Sequence, residues 1–238
     1  MATMVLVAGA WLGGWAWERV TPKLVAAGHN VYPLTLTGLG DRAHLSSPQI
    51  TLSTHVTDIV SAIEYADLHD VVLVAHSYSG VPATIAANLI PDRISRVVYV
   101  AAVVAPAGRS LFDVLPPAAA QEFQQLADAD GDGWLLPMFN DDMLDAFAGA
   151  HGLSMQDRRW LRARAAGQPI ATYGELAPAD LSAVGSLPRT YIVCTGDPGL
   201  PLPAGVEVVK FEAGHWPMAS KPAELAALLS RIVTVPDD

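Results

Sequence analysis

The chain has 238 residues, of which 51% are hydrophobic and 16% are charged, and this length suits one large α/β domain with a sizeable core. Fourteen basic against 24 acidic residues give a formal net charge of −10, which excludes the positive surface that binds nucleic acid. The single Cys194 excludes an internal disulfide. No apolar run reaches about 18 residues, and no basic segment precedes the short apolar run Met4–Ala8. We therefore expect a soluble, cytoplasmic protein without a membrane span or signal peptide.

Short apolar runs along the chain are typical of buried parallel strands. They are Met4–Val7, Val31–Leu34, Val71–Ala75, Arg96–Ala101, Thr190–Thr195 and Val206–Phe211. Helical patterns lie between most of them, at Trp15–Ala27, Thr54–Ala66 and Ser79–Leu89, and a last helix begins near Ser220. Strands that alternate with helices predict an α/β fold with a doubly wound, mostly parallel sheet.

The region from about Pro106 to Asp180 interrupts this alternation. It has no convincing strand, and we expect helices at Ala118–Ala127, Asp141–Ala148 and Met155–Ala166. The sequence therefore predicts one overall domain, in which residues 1–105 and 181–238 form the α/β core. Residues 106–180 would form a helical cap (lid) over the ends of the sheet, inserted before the last two strands.

The strongest chemical signal is the segment Val71–Gly80, in which a buried strand enters a turn of small residues with Ser77 at its apex. A helix of small residues follows, which is the context of a nucleophile elbow, where a strained turn exposes a serine hydroxyl. The residues two before and two after the serine must be small, because the strand and helix backbones nearly touch there. They are Ala75 and Ser79 in this chain. A serine-rich loop without catalysis is the alternative interpretation.

The serine needs a base, since a hydroxyl becomes a nucleophile only when its proton is taken. The expected chain order is nucleophile, acid, histidine. His215 is the best base because it lies between the last predicted strand and the last helix. Asp197 directly follows the preceding strand and is the candidate acid that orients the imidazole, with Glu212 as its competitor. His76 adjoins Ser77, but neighbours in a tight turn point apart, so we expect it to have a structural role.

Ester chemistry also requires two backbone N–H groups that face the negative charge of the transition state. We expect one from Tyr78, which follows the serine, and one from Ala10, in the glycine-rich loop after the first strand. Several aromatic side chains are candidates for a substrate wall, although ordinary packing accounts for them equally well. They are Trp11, Trp134, Phe139, Trp160 and Trp216.

Four blocks of sequence are similar to one known group of proteins. They are Val5–Trp17 (VLVAGAWLGGWAW), Leu34–Leu45 (LTLTGLGDRAHL), Pro91–Ala102 (PDRISRVVYVAA) and Gly214–Pro222 (GHWPMASKP). The chain resembles the α/β-hydrolase superfamily, and within it the plant methylesterase and hydroxynitrile-lyase branch with its bacterial relatives. This resemblance implies a Ser77–His215–Asp197 triad and oxyanion-hole donors at Ala10 and Tyr78.

The chain departs from that branch in ways that bear on its chemistry. The usual His-Gly pair of the oxyanion loop is Ala8-Gly9 here, which removes a side-chain hydrogen bond. Hydroxynitrile lyases of the branch that use the triad carry a Lys directly after the catalytic His and a Thr in the oxyanion loop. This chain has Trp216 and Gly9 at those places, and the lyase interpretation is therefore disfavoured.

The sequence thus predicts a serine esterase that cleaves a carboxylic ester of a neutral small molecule with hydrophobic or aryl groups. No metal or organic cofactor is expected, and the substrate is the expected partner, without nucleic acid or membrane. Two alternatives remain open: a lyase or cofactor-free tailoring enzyme that uses the same triad on an aromatic or polyketide-like substrate, and a hydrolase-like receptor with little turnover. The sequence also leaves open whether the chain forms a homodimer.

Overall fold

The computed structural model describes residues 1–147, 152–196 and 201–234. The strands in these ranges are β1 Thr3–Val7, β2 Asn30–Leu34, β3 Val71–His76, β4 Ile94–Val100, β5 Leu135–Leu136, β6 Gln168–Pro169, β7 Arg189–Cys194 and β8 Glu207–Phe211. The α-helices are α1 Thr21–Ala26, α2 Leu52–Tyr65, α3 Gly80–Leu89, α4 Leu111–Val114, α5 Pro117–Asp130, α6 Asp141–Phe147, α7 Met155–Arg162, α8 Ala171–Gly174, α9 Ser182–Gly185, α10 Pro217–Ser220 and α11 Pro222–Thr234. Of the helices in the described ranges, none is both long and apolar enough to cross a membrane.

A six-stranded parallel sheet in the order β2-β1-β3-β4-β7-β8 forms the centre of the fold. The prediction of a doubly wound parallel sheet is confirmed, and each apolar run predicted as a strand overlaps one, extending one residue beyond the strand at Ala101, Thr195 and Val206. Helices α1 and α11 pack together, and α3 packs against both α2 and α9. The central strand β3 is buried along its whole length, which explains why its sequence is continuously apolar rather than alternating.

The two outer strands differ from the prediction of buried strands. Tyr32 in β2 is 44% exposed, and Val208 in β8 is 46% exposed. Each of these strands lies at an edge of the sheet and has a neighbour on one side only. Pro33 in β2 and Lys210 in β8 are residue types that protect such edges against pairing with another chain.

The insert, which we define as residues 106–180 between β4 and β7, is not entirely helical as predicted. Helices α5, α6 and α7 overlap the three predicted helices, although the predicted end at Ala148 lies outside the described residues. In addition, Leu135–Leu136 pairs antiparallel with Gln168–Pro169. We call this pair of short strands the ribbon. Two-residue strands show no hydrophobic periodicity, so nothing in the sequence signals them.

The topology places a crevice at one end of the sheet. Strands β1 and β3 are neighbours, but β2 lies on the outer side of β1 and β4 lies on the far side of β3. The loops that follow such a pair of strands lead in opposite directions, and ligands bind in the crevice between them. Ala10 follows β1 and Ser77 follows β3, so both predicted site residues lie at this crevice.

Candidate active site

Ser77 occupies a strained turn at the end of β3. Its φ of 54° lies in the left-handed region, which residues with a side chain rarely adopt and which concentrates at functional sites. The Ser77 carbonyl oxygen accepts a hydrogen bond from the Val103 N–H at 2.9 Å, which ties the turn to the segment after β4. The side chain remains partly exposed. This is the geometry that the sequence predicts for a nucleophile elbow.

His215 lies against the Ser77 hydroxyl. The Nε2 atom of His215 is 2.8 Å from Oγ of Ser77, a hydrogen-bonding distance. His215 follows β8 and comes 138 residues after Ser77 in the chain, so only the parallel sheet brings the two together. An imidazole nitrogen at this distance is placed to take the hydroxyl proton.

His76 connects the elbow to the loop that carries His215. Its Nε2 atom is 2.7 Å from the carbonyl oxygen of His215, and because a carbonyl only accepts, Nε2 carries the proton. Burial, together with the nearby His215, lowers the pKa of His76 well below its ordinary value, so the ring is neutral. Its Nδ1 atom is buried and has no hydrogen-bond partner among the described residues. His76 therefore supports the backbone of His215, in line with the structural role predicted for it.

Ser79 has a specific role where many nucleophile elbows have glycine. Its side chain is fully buried, and its Oγ atom accepts a hydrogen bond from the His76 N–H at 2.8 Å. The proton of the same hydroxyl faces two carbonyl oxygens, that of His76 at 2.8 Å and that of Val7 on β1 at 3.0 Å. The Ser79 side chain therefore links β1 to the elbow.

The loop after β1 passes very close to the elbow. A Cβ atom added to Gly9 would lie 2.8 Å from Cβ of Ser77 and 2.9 Å from Nδ1 of His76, closer than two heavy atoms pack. Only glycine fits there. Ala10 and Tyr78 flank this contact, and among the described residues none accepts a hydrogen bond from either backbone N–H. Both amides are thus available to a ligand at Ser77.

The hydroxyl of Tyr78 is held by His55, which lies on helix α2. This hydroxyl lies 2.8 Å from Nδ1 of His55, and Nε2 of His55 lies 2.9 Å from the Thr37 carbonyl oxygen. Since the carbonyl accepts, Nε2 of His55 is protonated and Nδ1 accepts the proton of the Tyr78 hydroxyl. Burial lowers the pKa of His55, so this arrangement is uncharged. The sequence did not single out His55, because one histidine on a helix has no distinguishing pattern.

A chain of contacting aromatic rings runs between the loop after β1 and the elbow. We call it the aromatic arc: Trp11, Phe139, Phe123, Tyr173 and Tyr78. Successive ring centroids are 4.6, 5.3, 6.1 and 5.4 Å apart, and the side chains are at most 8% exposed. The arc joins the insert to the core, and two of its members, Trp11 and Phe139, are predicted substrate-wall residues.

The other predicted aromatic residues lie in different places. Trp216 is buried and packs edge-to-face on His215 at 4.9 Å between ring centroids. Trp160 packs against Trp15 and donates a hydrogen bond from its indole to Glu18 at 3.1 Å. Trp134 is half-buried, and its carbonyl oxygen accepts a hydrogen bond from Ile170. The structure thus brings Trp216 to His215, whereas Trp160 packs on the helical turn before α1.

Two further features bear on the boundaries of the site. Asp197 lies outside the described residues; Gly196, which precedes it, donates a hydrogen bond to the Ala213 carbonyl oxygen at 3.0 Å.

A cavity of about 550 Å³ opens beside the end of β4, with Val103, Leu181 and Pro201 in its lining. Since neither Ser77 nor His215 lines it, it is separate from the Ser77–His215 pair.

Comparisons match the chain to known proteins over almost its whole length. A sequence model described as "Alpha/beta hydrolase family" matches residues 4–228. A carbendazim hydrolyzing esterase from Nocardioides sp. (strain SG-4G) is 37% identical over 246 residues, which cover 98% of this chain and 100% of that protein. Methylesterase 7 of Arabidopsis thaliana is 30% identical over 254 residues, covering 96% of this chain and 95% of that protein.

A solved structure extends the comparison to the fold. An extracellular alpha/beta-hydrolase from a Paenibacillus species superposes with a TM-score of 0.85 at 24% sequence identity. The superposition covers 97% of this chain and 98% of that one. The chain therefore shares its fold with that alpha/beta-hydrolase over almost its whole length.

Proposed function

Because the chain belongs to the alpha/beta hydrolase family, we propose that it hydrolyses a carboxylic ester of an apolar small molecule through Ser77, His215 and Asp197. The observation that carries the proposal is the 2.8 Å contact between Oγ of Ser77 and Nε2 of His215, with Ser77 in a left-handed turn. Full-length relatives that are named as esterases support ester hydrolysis as the reaction class.

The proposed reaction has two halves. In the first, Oγ of Ser77 attacks the ester carbonyl carbon while Nε2 of His215 takes the hydroxyl proton. The N–H groups of Ala10 and Tyr78 donate to the resulting oxyanion. The bond to the alcohol oxygen then breaks, and His215 returns its proton to that oxygen, so the alcohol leaves and an acyl-enzyme remains.

In the second half, a water molecule takes the place of the alcohol. His215 removes a proton from the water, whose oxygen attacks the acyl carbon and forms a second oxyanion. The bond to Ser77 breaks, and the proton passes from His215 to Oγ of Ser77. One ester and one water are consumed, and one carboxylic acid and one alcohol are released.

Asp197 is the proposed acid that orients His215. The first support is the chain order. The second is the hydrogen bond from Gly196 to Ala213, because Gly196 directly precedes Asp197 and Ala213 lies two residues before His215 in the chain. The competitor Glu212 is exposed. A carboxylate in the proposed role accepts a hydrogen bond from the imidazole N–H and stabilises the imidazolium that forms during the reaction.

The aromatic arc supports an apolar or aryl-bearing substrate. Rings in contact on the insert side of the crevice favour neutral, apolar groups over charged ones, because a charge buried there would lose its hydration. We therefore propose that an acyl or alcohol group of this type packs on the Trp11 and Phe139 end of the arc.

The first experiment is intact-mass spectrometry after treatment with a fluorophosphonate. We expect one adduct on the wild type, formed when Oγ of Ser77 displaces fluoride from phosphorus, and no adduct on Ser77→Ala. Ser95→Ala is the matched control and should label like the wild type, because Ser95 is exposed and lies near the start of β4, at the opposite end of the sheet from Ser77. An unlabelled wild type that is folded would contradict the proposal.

The acid is tested separately with a p-nitrophenyl ester. We expect Asp197→Asn to lower kcat by about 10³–10⁴-fold, because the imidazole loses its orienting carboxylate. Glu212→Gln should retain kcat within about threefold, as expected for an exposed side chain. The reverse pattern would assign the acid to Glu212.

A further inference from the structure

We infer that Gln168, in the insert, is a positioning residue that holds the oxyanion loop through the backbone of Trp11. The inference deepens the proposed function and rests on it, since it concerns the amide of Ala10. Gln168 and Trp11 are 157 residues apart in the chain. Nothing in the sequence pattern connects them.

Three hydrogen bonds join Trp11 to the insert. The Trp11 N–H donates to Oε1 of Gln168 at 3.3 Å, and the Trp11 indole donates to the Leu136 carbonyl oxygen at 3.0 Å. The Trp11 carbonyl oxygen accepts from the Ala166 N–H at 2.9 Å. Both strands of the ribbon therefore hold this one residue, and both backbone polar groups of Trp11 are bound to the insert.

The orientation of the Gln168 amide is fixed by its second partner. Gln168 is fully buried, and its Nε2 atom lies 2.8 Å from Oγ1 of Thr172. Thr172 uses its one hydroxyl proton to donate to the Pro169 carbonyl oxygen at 2.6 Å. Its oxygen must then accept from Gln168, so the amide nitrogen faces Thr172 and Oε1 faces Trp11.

The backbone of Trp11 is strained and would leave its conformation without the hydrogen bonds to the insert. Trp11 has a φ of 67°, in the left-handed region, which costs about 1–3 kcal/mol for a residue with a side chain. The Trp11 nitrogen belongs to the peptide group that joins it to Ala10. The hydrogen bond that this N–H donates to Gln168 therefore fixes the peptide plane beside the Ala10 amide, while the Ala10 N–H remains available to the oxyanion.

The same segment of the insert also reaches the second amide donor. The Tyr173 ring stacks on the Tyr78 ring, with centroids 5.4 Å apart and planes 14° apart. Residues 166–173 thus contact Trp11 beside one donor and Tyr78 at the other. Docking of the insert and assembly of the oxyanion hole are therefore coupled, with Gln168 as the polar link.

The inference is tested with Gln168→Met, which has a similar size but lacks both hydrogen bonds. Thr172→Val is a second variant, which leaves Gln168 in place and removes the partner that orients it, together with a side-chain hydrogen bond between Thr172 and Tyr78. The control is Thr190→Val, because Thr190 is also fully buried and hydrogen-bonded, at 2.9 Å to Arg96, but lies at the start of β7. Urea unfolding measures the stability of all three.

The kinetic readout separates positioning from stability. With a p-nitrophenyl ester we expect Gln168→Met to lower kcat by about 10–100-fold with KM within threefold, because a misplaced donor acts mainly on the transition state. A trifluoromethyl ketone, which forms an oxyanion adduct with the serine, should lose affinity by the same factor. The methyl ketone of the same chain length forms no adduct, so its affinity for Gln168→Met should equal its affinity for the wild type. Thr172→Val should change the same parameters in the same direction, and Thr190→Val should change none of them.

Two results would overturn the inference. The first is that Gln168→Met keeps the wild-type kcat and the wild-type affinity for the trifluoromethyl ketone. If Gln168→Met does not fold, the same result in Thr172→Val overturns the inference. The other is an equal loss of affinity for both ketones, which indicates general damage to the pocket. Failure of the proposed function looks different, because the wild type itself would then not react with a fluorophosphonate. A labelled wild type with an equally reactive Gln168→Met contradicts only the role of Gln168.

Discussion

Gly9→Ala tests the close approach on which the site depends. The added Cβ would lie 2.8 Å from Cβ of Ser77 and 2.9 Å from Nδ1 of His76, whereas carbon atoms pack at about 3.5–4.0 Å. The added Cβ and Cβ of Ser77 must therefore move apart by at least about 0.7 Å. Ser77 is held by Val103 and His76 is fully buried and hydrogen-bonded to His215, so the Gly9 backbone has to move.

The movement displaces Ala10, the next residue. Overpacking of this kind lowers the free energy of unfolding by about 1–3 kcal/mol, and a displacement approaching 1 Å of a group that contacts the transition state costs about 10²-fold in rate. We expect Gly9→Ala to fold and to lose about 100-fold in kcat/KM. The assay is hydrolysis of a p-nitrophenyl ester per active site, with urea unfolding in parallel.

The matched control is Gly185→Ala. Gly185 ends helix α9, and a Cβ added there has no neighbouring heavy atom within 4 Å. This change should leave kcat/KM unaltered and raise the stability by at most about 1 kcal/mol. A Gly9→Ala enzyme with wild-type kcat/KM would refute the reasoning, because the loop after β1 could then move without any effect on the chemistry.

Two further predictions concern stability. Ser79→Ala should lower the free energy of unfolding by about 1–3 kcal/mol, because the buried His76 N–H loses its acceptor; in urea unfolding the exposed control Ser95→Ala should change it by less than about 0.5 kcal/mol, and equal effects would contradict the role of the Ser79 hydroxyl. His55 and His76 are neutral in the fold because burial lowers the pKa of each, whereas both have a pKa near 6.5 when unfolded. As the pH falls below about 6.5, the unfolded chain binds protons that the folded chain does not, so stability should fall by up to about 1.4 kcal/mol per pH unit for each histidine. Urea unfolding between pH 7.5 and 5 checks this, and a slope that His55→Gln leaves unchanged would contradict it.

The sequence by itself predicted the sheet and the turn that carries Ser77. The strand, the turn and the helix around Ser77 lie within one short segment, so local hydrophobicity and residue size identify them together. Chain order then selected His215, because the loop after each parallel strand emerges at the same end of the sheet. The assignment of Asp197 to the acid remains a prediction from the same rule.

Tertiary structure decided the features that depend on distant contacts. Strands β2 and β8 have the apolar sequences that are typical of buried strands, yet several of their residues are exposed because both strands lie at an edge of the sheet. Exposure depends on the number of neighbouring strands, which local composition does not reveal. The ribbon consists of two residue pairs that no periodicity reveals. The ribbon places Leu136 and Gln168 of the insert against Trp11, in the loop after β1.

The support of the site is likewise a property of the folded chain. His76 reaches His215 across 139 residues, and Gln168 reaches Trp11 across 157. A single histidine or glutamine has no sequence pattern, since its role is set by the partner that the fold brings to it. The chemical groups of the site are therefore encoded locally, whereas their precise placement arises only when the insert packs on the sheet and buries the polar groups that must pair.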